Sequence, residues 1–142
     1  KVKFGIGVDQ AQFNLGADGQ GNFFTLAQTA GMMWSWSAGY KFVALEGTFT
    51  SSSATDSMFM VHTGKTGTDY NYTEVTVDLP DNALVRTTIT PQIHIMADVS
   101  QLIDGTNKIN FNDGAMVMGG NKLAQITANI SNMFEVHHVH NE

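Results

Sequence analysis

Residues 40–49 read Tyr40-Lys41-Phe42-Val43-Ala44-Leu45-Glu46-Gly47-Thr48-Phe49, and they carry the period of a strand. Side chains alternate along extended backbone, so Tyr40, Phe42, Ala44, Glu46 and Thr48 share one face. Lys41, Val43, Leu45 and Gly47 share the other. Neither face is purely apolar, so this strand is expected to be covered on both sides at least in part. The same texture extends outward. Residues 2–8, 57–63, 72–79, 83–89 and 91–97 are short runs rich in β-branched and aromatic residues, bounded by Gly, Asn, Asp or Ser. Pro80 and Pro91 fall between runs, where a residue without an N–H is tolerated.

Two segments differ. In 121–134, Leu123, Ile126, Ile130, Met133 and Phe134 recur at helical spacing, with Asn121 as the expected N-cap. Residues 18–38 have no clear period and read as a long ordered loop among Gly16, Gly19, Gly21, Gly31 and Gly39. No internal repeat and no linker interrupts the chain. The expected fold is mainly β, an antiparallel β-sandwich with one short helix near the C-terminus, with residues 1–142 as a single domain.

Composition narrows the function. Of 142 residues only 14 % are charged, against roughly 25 % for an average soluble domain. Hydrophobic content is an ordinary 42 %, which is not the profile of a disordered chain. The net charge is −6 with no basic cluster, which argues against nucleic-acid binding, because phosphate neutralisation needs concentrated Lys and Arg. No apolar run is long enough for a membrane span. Zero cysteine removes thiolate zinc sites, iron–sulfur clusters, disulfides and cysteine nucleophiles together. Any metal must rest on His, Met, carboxylate or carbonyl donors. The surface residues are small hydroxyls and amides, as in exported bacterial proteins. The chain opens inside a strand without an initiator Met, and reads as a processed product.

The donors cluster in two places. In His137-His138-Val139-His140 an extended backbone puts His138 and His140 on one face and His137 on the other. Neutral imidazoles at i and i+2 suit Cu, Zn or Ni. A solvated tail or purification tag has the same look. In Met58-Phe59-Met60-Val61-His62 the residues Met58, Met60 and His62 share a face, a soft set that favours Cu(I). Alternating methionines also serve as core filler. His94, within Ile93-His94-Ile95, reads as structural. No Gly-x-Ser-x-Gly elbow is present, and Gly5-x-Gly7 lacks the third glycine of a dinucleotide loop. No catalytic residue is assigned and the chain is not read as an enzyme.

The run Gly31-Met32-Met33-Trp34-Ser35-Trp36-Ser37-Ala38-Gly39-Tyr40-Lys41-Phe42-Val43-Ala44-Leu45-Glu46-Gly47 resembles the Gly-Met-x-Trp-x-Trp-x-x-Gly-Tyr-x-Phe-x-x-Leu-Glu-Gly signature of the MbnP-like, methanobactin-associated copper-binding domain. Phe4-Gly5-Ile6-Gly7-Val8-Asp9, Val61-His62-Thr63-Gly64, Ala128-Asn129 through Met133-Phe134, and His138-Val139-His140-Asn141 follow the same family's motifs in order. The resemblance implies a β-sandwich of the bacterial periplasm or cell surface, linked to copper handling by methane-oxidising and other bacteria. It implies one copper, mostly Cu(I), held by histidines, here His62 and one or both of His138 and His140. The third ligand in such relatives is a tryptophan oxidised to kynurenine, a change associated in some members with a dihaem peroxidase-like partner. Where that tryptophan can lie, this sequence has Met60, whose thioether becomes the candidate third ligand. Trp34 and Trp36, at i and i+2 on an extended segment, share one face and are structural or oxidised. The resemblance also implies additional strands before Phe4, expected to be cleaved, supplied by another chain or outside this sequence.

The expected function is therefore copper binding in the cell envelope, for sequestration or delivery. The alternative is a structural or adhesive surface protein whose open sheet edge takes a strand from a second chain or another copy, with or without metal. A hydrolase or carbohydrate-binding module has only the β-rich pattern in its favour.

Overall fold

A computed structural model describes every residue from Lys1 to Glu142. In chain order it runs β1 (Val2–Ile6), α1 (Gln10–Phe13), α2 (Asn22–Thr29), β2 (Met33–Ser35), β3 (Gly39–Phe49), β4 (Ser57–Thr66), β5 (Asp69–Tyr70) and β6 (Thr73–Val77). It continues through β7 (Gln92–Ala97), α3 (Gln101–Asp104), β8 (Met116–Val117), α4 (Gly120–Asn129) and β9 (Phe134–His140). The protein is mostly β, in several sheets with a few short helices.

Three sheets carry the strands. β3 is central to the largest, between β2 and β4, with β5 beyond β4. β8 joins β4 as a parallel neighbour, a departure from the all-antiparallel expectation. β1 pairs with β6, and β7 pairs with β9, each as an antiparallel two-stranded ribbon.

The alternation in β3 buries two different cores. Its register against β4 slips between Lys41 and Ala44, inserting one extra residue on β3. At the slip the Val43 N–H donates to the Thr63 hydroxyl at 3.0 Å instead of to a strand carbonyl. Before the bulge Tyr40 and Phe42 enter a cluster with Val8, Ala27, Phe13 and Trp36. After it, Val43 and Leu45 pack against a second cluster that includes Val61, Val75, Leu123, Ile126 and Ile130. This is why neither face of the strand is purely apolar in sequence.

The second cluster is set by α4. Leu123, Ile126 and Ile130 are at most 1 % exposed, so the expected helical stripe points inward. The helix is shorter than expected: it stops at Asn129, turns once through Ile130–Asn132 and continues as β9. Its N-cap is Gly119 and not Asn121, which lies inside the helix. Two further expectations are corrected. Residues 22–29 are helical where a loop was expected: Phe23, Leu26 and Ala27 stand at helical spacing and line one hollow against β3, but the stripe is short, with Ala27 buried and Phe23 and Leu26 largely exposed. Phe24, packed edge-on to Trp36, anchors it as well. Residues 83–89 form no strand. Arg86 and Ile89 close a tight loop on each other, and the Asn141 side chain binds its start, accepting from the Leu84 N–H and donating to the Asn82 carbonyl.

Two motif glycines are explained by close approach. Gly7 has φ +109°, and a Cβ there would sit 2.4 Å from the Phe42 ring. Gly64 has φ +154°, and a Cβ would meet the Tyr40 carbonyl at 2.4 Å and Trp34 at 3.1 Å. Gly64→Ala is therefore expected to destabilise the protein by about 2 kcal/mol or more, since the clash is with backbone and strain adds to it. Urea unfolding measures this, and an unchanged midpoint would refute the contact.

Candidate metal centre

The histidines of β9 belong to a paired strand, not a loose tail. The register sets His94 of β7 opposite His138 of β9, and Gln92 opposite His140. Directly paired residues share a face, so His94, His138 and His140 converge on one side of the ribbon. The rings of His94 and His138 stack with centroids 4.1 Å apart, and His140 stands edge-on to His138 at 4.5 Å. One ring nitrogen from each of the three imidazoles lies within 4.8 Å of the others. Sequence reading treated His94 as structural, because nothing local marks it. The signal available was polar residues at alternate positions in both strands, which pairing brings together.

The fourth imidazole comes from a bulge. His94 pairs with His138 but Ile95 pairs with Val136, so His137 is the extra residue on β9. Strict alternation would send His137 to the opposite face. Instead its Nδ1 is hydrogen-bonded to Nδ1 of His138 at 2.5 Å. With Nδ1 so engaged, Nε2 is the nitrogen that His138 has left for an ion. A second hydrogen bond of this kind fixes the ring orientation of metal-ligating histidines in general.

Electrostatics favour the ligand form of these rings. The pKa of His138 is lowered from 6.5, first by desolvation and then by the neighbouring imidazoles of His94, His140 and His137. The sign of the stability effect follows. Below the ordinary value the unfolded chain takes up a proton that native His138 resists, so the metal-free protein loses stability as pH falls below about 6.5. Chemical denaturation at about pH 7.5 and about pH 5.5 should show this loss, reduced in His138→Gln. An equal loss in that variant would refute the assignment.

The hollow beside the cluster is polar. Thr90, Gln92, His94, His140 and Glu142 line about 230 Å³, open to solvent along the ribbon. A hollow of about 290 Å³ between α2 and β3 is mostly apolar and has no histidine in its wall. Of these two hollows, the one at the ribbon is the one walled by histidines.

His62 and Met60 stand elsewhere. Both are on β4, in the large sheet and not in the β7–β9 ribbon. His62 is 4 % exposed, and its Nε2 donates to Glu46 Oε1 at 2.5 Å. Its Nδ1 is buried without a partner. Trp34 lies 6.0 Å from the His62 ring, and Lys41 sits over the indole at 5.9 Å. Trp36 instead stacks on Phe13 at 4.8 Å in the aromatic cluster. The two tryptophans thus serve different surroundings, not one shared face.

The MbnP family model matches residues 1–138. The chain belongs to the MbnP family. No curated protein and no solved structure matches it. The family is linked to methanobactin and copper, and the donor set of the ribbon fits such an ion: imidazoles suit copper, and no competing thiolate is present. The MbnP motifs also acquire structural meaning. Gly7 and Gly64 permit close packing, Asn129 bridges core backbone, and Asn141 ties the end of β9 to the 82–84 loop. No helix is long and apolar enough to cross a membrane.

Proposed function

We propose that the protein holds one copper ion at His94, His138 and His140 for sequestration or delivery in the bacterial periplasm or at the cell surface, without turning over a substrate. The observation that carries this reading is the convergence of three imidazole donors within 4.8 Å on one ribbon face. Neutral nitrogen donors at low coordination number suit Cu(I). The ribbon presents them at the surface, where an ion can be passed on. MbnP membership supplies the link to copper. We read the sheets as layers of the β-sandwich that the family resemblance implies, with β4 and β6 meeting across Val61, Val75 and Val77.

The resemblance adds His62 and Met60 to the ligand set, and a kynurenine formed with a dihaem peroxidase-like partner in some relatives. The buried, unpartnered Nδ1 of His62 is what supports its inclusion. Titration of the protein with Cu(I) against a competing chelator tests the reading. Stoichiometric uptake is expected. Uptake that is unchanged when His94, His138 and His140 are all replaced by Ala would overturn it. In the same assay His62→Ala decides whether β4 contributes to that ion.

A second reading is favoured by the exposed edge of β7, where Ile95 is 39 % and Met96 48 % exposed. Such an edge can accept a strand from another copy, as in a surface polymer. Light scattering that shows only monomer at high concentration would exclude this assembly.

A further inference from the structure

We propose that Met58, Met60 and Met116 form a second, all-thioether site for a soft monovalent cation, Cu(I) or Ag(I), on the outer face of β4 and β8. β4 and β8 run parallel with Met60 directly opposite Met116. Residues in register on neighbouring strands point to the same side, and such strands lie about 4.8 Å apart. Met58 is two residues before Met60 and therefore on that side as well. Three flexible thioether chains thus start from one small patch of sheet.

Packing does not explain them. The opposite face of the same strands does the core work: Val61 is fully buried and Val117 is 4 % exposed. Phe59, also on that face, stacks on Phe111 at 4.7 Å. Met58 and Met116 are 67 % and 57 % exposed, so these side chains fill no gap in the core. The surroundings suit a cation. Glu46 lies opposite Met60 on β3, with its carboxylate half-exposed and no lysine or arginine paired to it. His62, next along the same face, is held by Glu46 through Nε2, so the thioethers define the site without it. Unlike the imidazoles of the ribbon, neutral sulfur donors discriminate strongly for soft monovalent ions over Zn(II). This assigns Met60 to the thioether site in place of the ligand set that the resemblance implies, and the proposal does not depend on the ribbon site.

The test uses the whole protein with methionine methyl groups labelled with ¹³C. Addition of Ag(I) should shift the methyl signals of Met58, Met60 and Met116 together, leaving Met96 and Met133 in place. Protein first saturated with Zn(II) should show the same shifts, because Zn(II) occupies imidazoles and not thioethers. His138→Ala should also show them, whether or not the ribbon binds copper. Met116→Leu, which conserves volume, should abolish the shift at Met60. The proposal is overturned if Ag(I) leaves the three methyls unmoved, or if Zn(II) or His138→Ala removes their shifts. It is also overturned if Met116→Leu leaves the Met60 shift intact.

Discussion

His138→Ala is expected to lower the copper affinity of the ribbon by more than about 100-fold, with little effect on the fold. His138 is the centre of the cluster: it stacks on His94, stands edge-on to His140 and is hydrogen-bonded to His137. Its removal leaves two donors on different strands and deletes the ring that His137 orients. Loss of an orienting partner alone costs metal sites roughly 10–100-fold, so loss of a ligand should exceed that range. His137→Ala, which removes only the orienting contact, should fall within it. The measurement is competition for copper against a chelator of known affinity, with circular dichroism to confirm the fold. Near-native affinity for His138→Ala would show that copper binds elsewhere on the chain.

Asn129→Ala should be the most damaging of the single core substitutions named here, at about 3 kcal/mol, with a fall in Tm on the order of 10 °C. Asn129 is fully buried. Its amide donates to the carbonyls of Leu102 and Asn107 at 3.1 and 2.8 Å. Its oxygen accepts from the backbone N–H and the side chain of Asn107 at 2.9 and 3.1 Å. Alanine leaves those backbone groups unpaired in the interior, each at a cost of about 1–3 kcal/mol unless water enters. Asn129→Asp tests the mechanism, because a carboxylate keeps the acceptor and loses the two donated bonds. It should destabilise too. Thermal unfolding that leaves either variant at the native midpoint would refute this role.

Elements with a strong local period were legible in sequence. β3 showed its alternation, and α4 showed its stripe because Leu123, Ile126 and Ile130 all enter the core. α2 was missed although Phe23, Leu26, Ala27 and Ala30 stand at helical spacing, because that stripe is barely two turns long among glycines and buries only Ala27, the helix being held also by an aromatic contact to Trp36. The end of the helical reading failed for a related reason. Met133 and Phe134 continue the apolar spacing, but they belong to a turn and a strand that happen to pack on the same core. At the site, spacing and family resemblance singled out His138 and His140. They missed His94, whose significance comes only from the strand it pairs with. The bulge that redirects His137 leaves no trace in a single sequence, because alternation assumes a regular ladder.

The ribbon that carries the imidazoles has only two strands. An isolated two-stranded ribbon is marginal in water, and most of β7 is exposed. β9 is moored at its start by Phe134, edge-on to Phe4 at 5.1 Å, and by Val136 against the core. Its histidine end has no such packing on the core and is tied instead, through Asn141, to the 82–84 loop. An ion bound by His94 on one strand and by His138 and His140 on the other would act as a clasp across the two. Part of its binding energy would go into suppressing local opening, and amide exchange there would slow on loading while the α4 core kept its own rate. Anything that pries β7 away would then release the ion without unfolding the protein, so the same two strands would set both how tightly the cargo is kept and how it is let go.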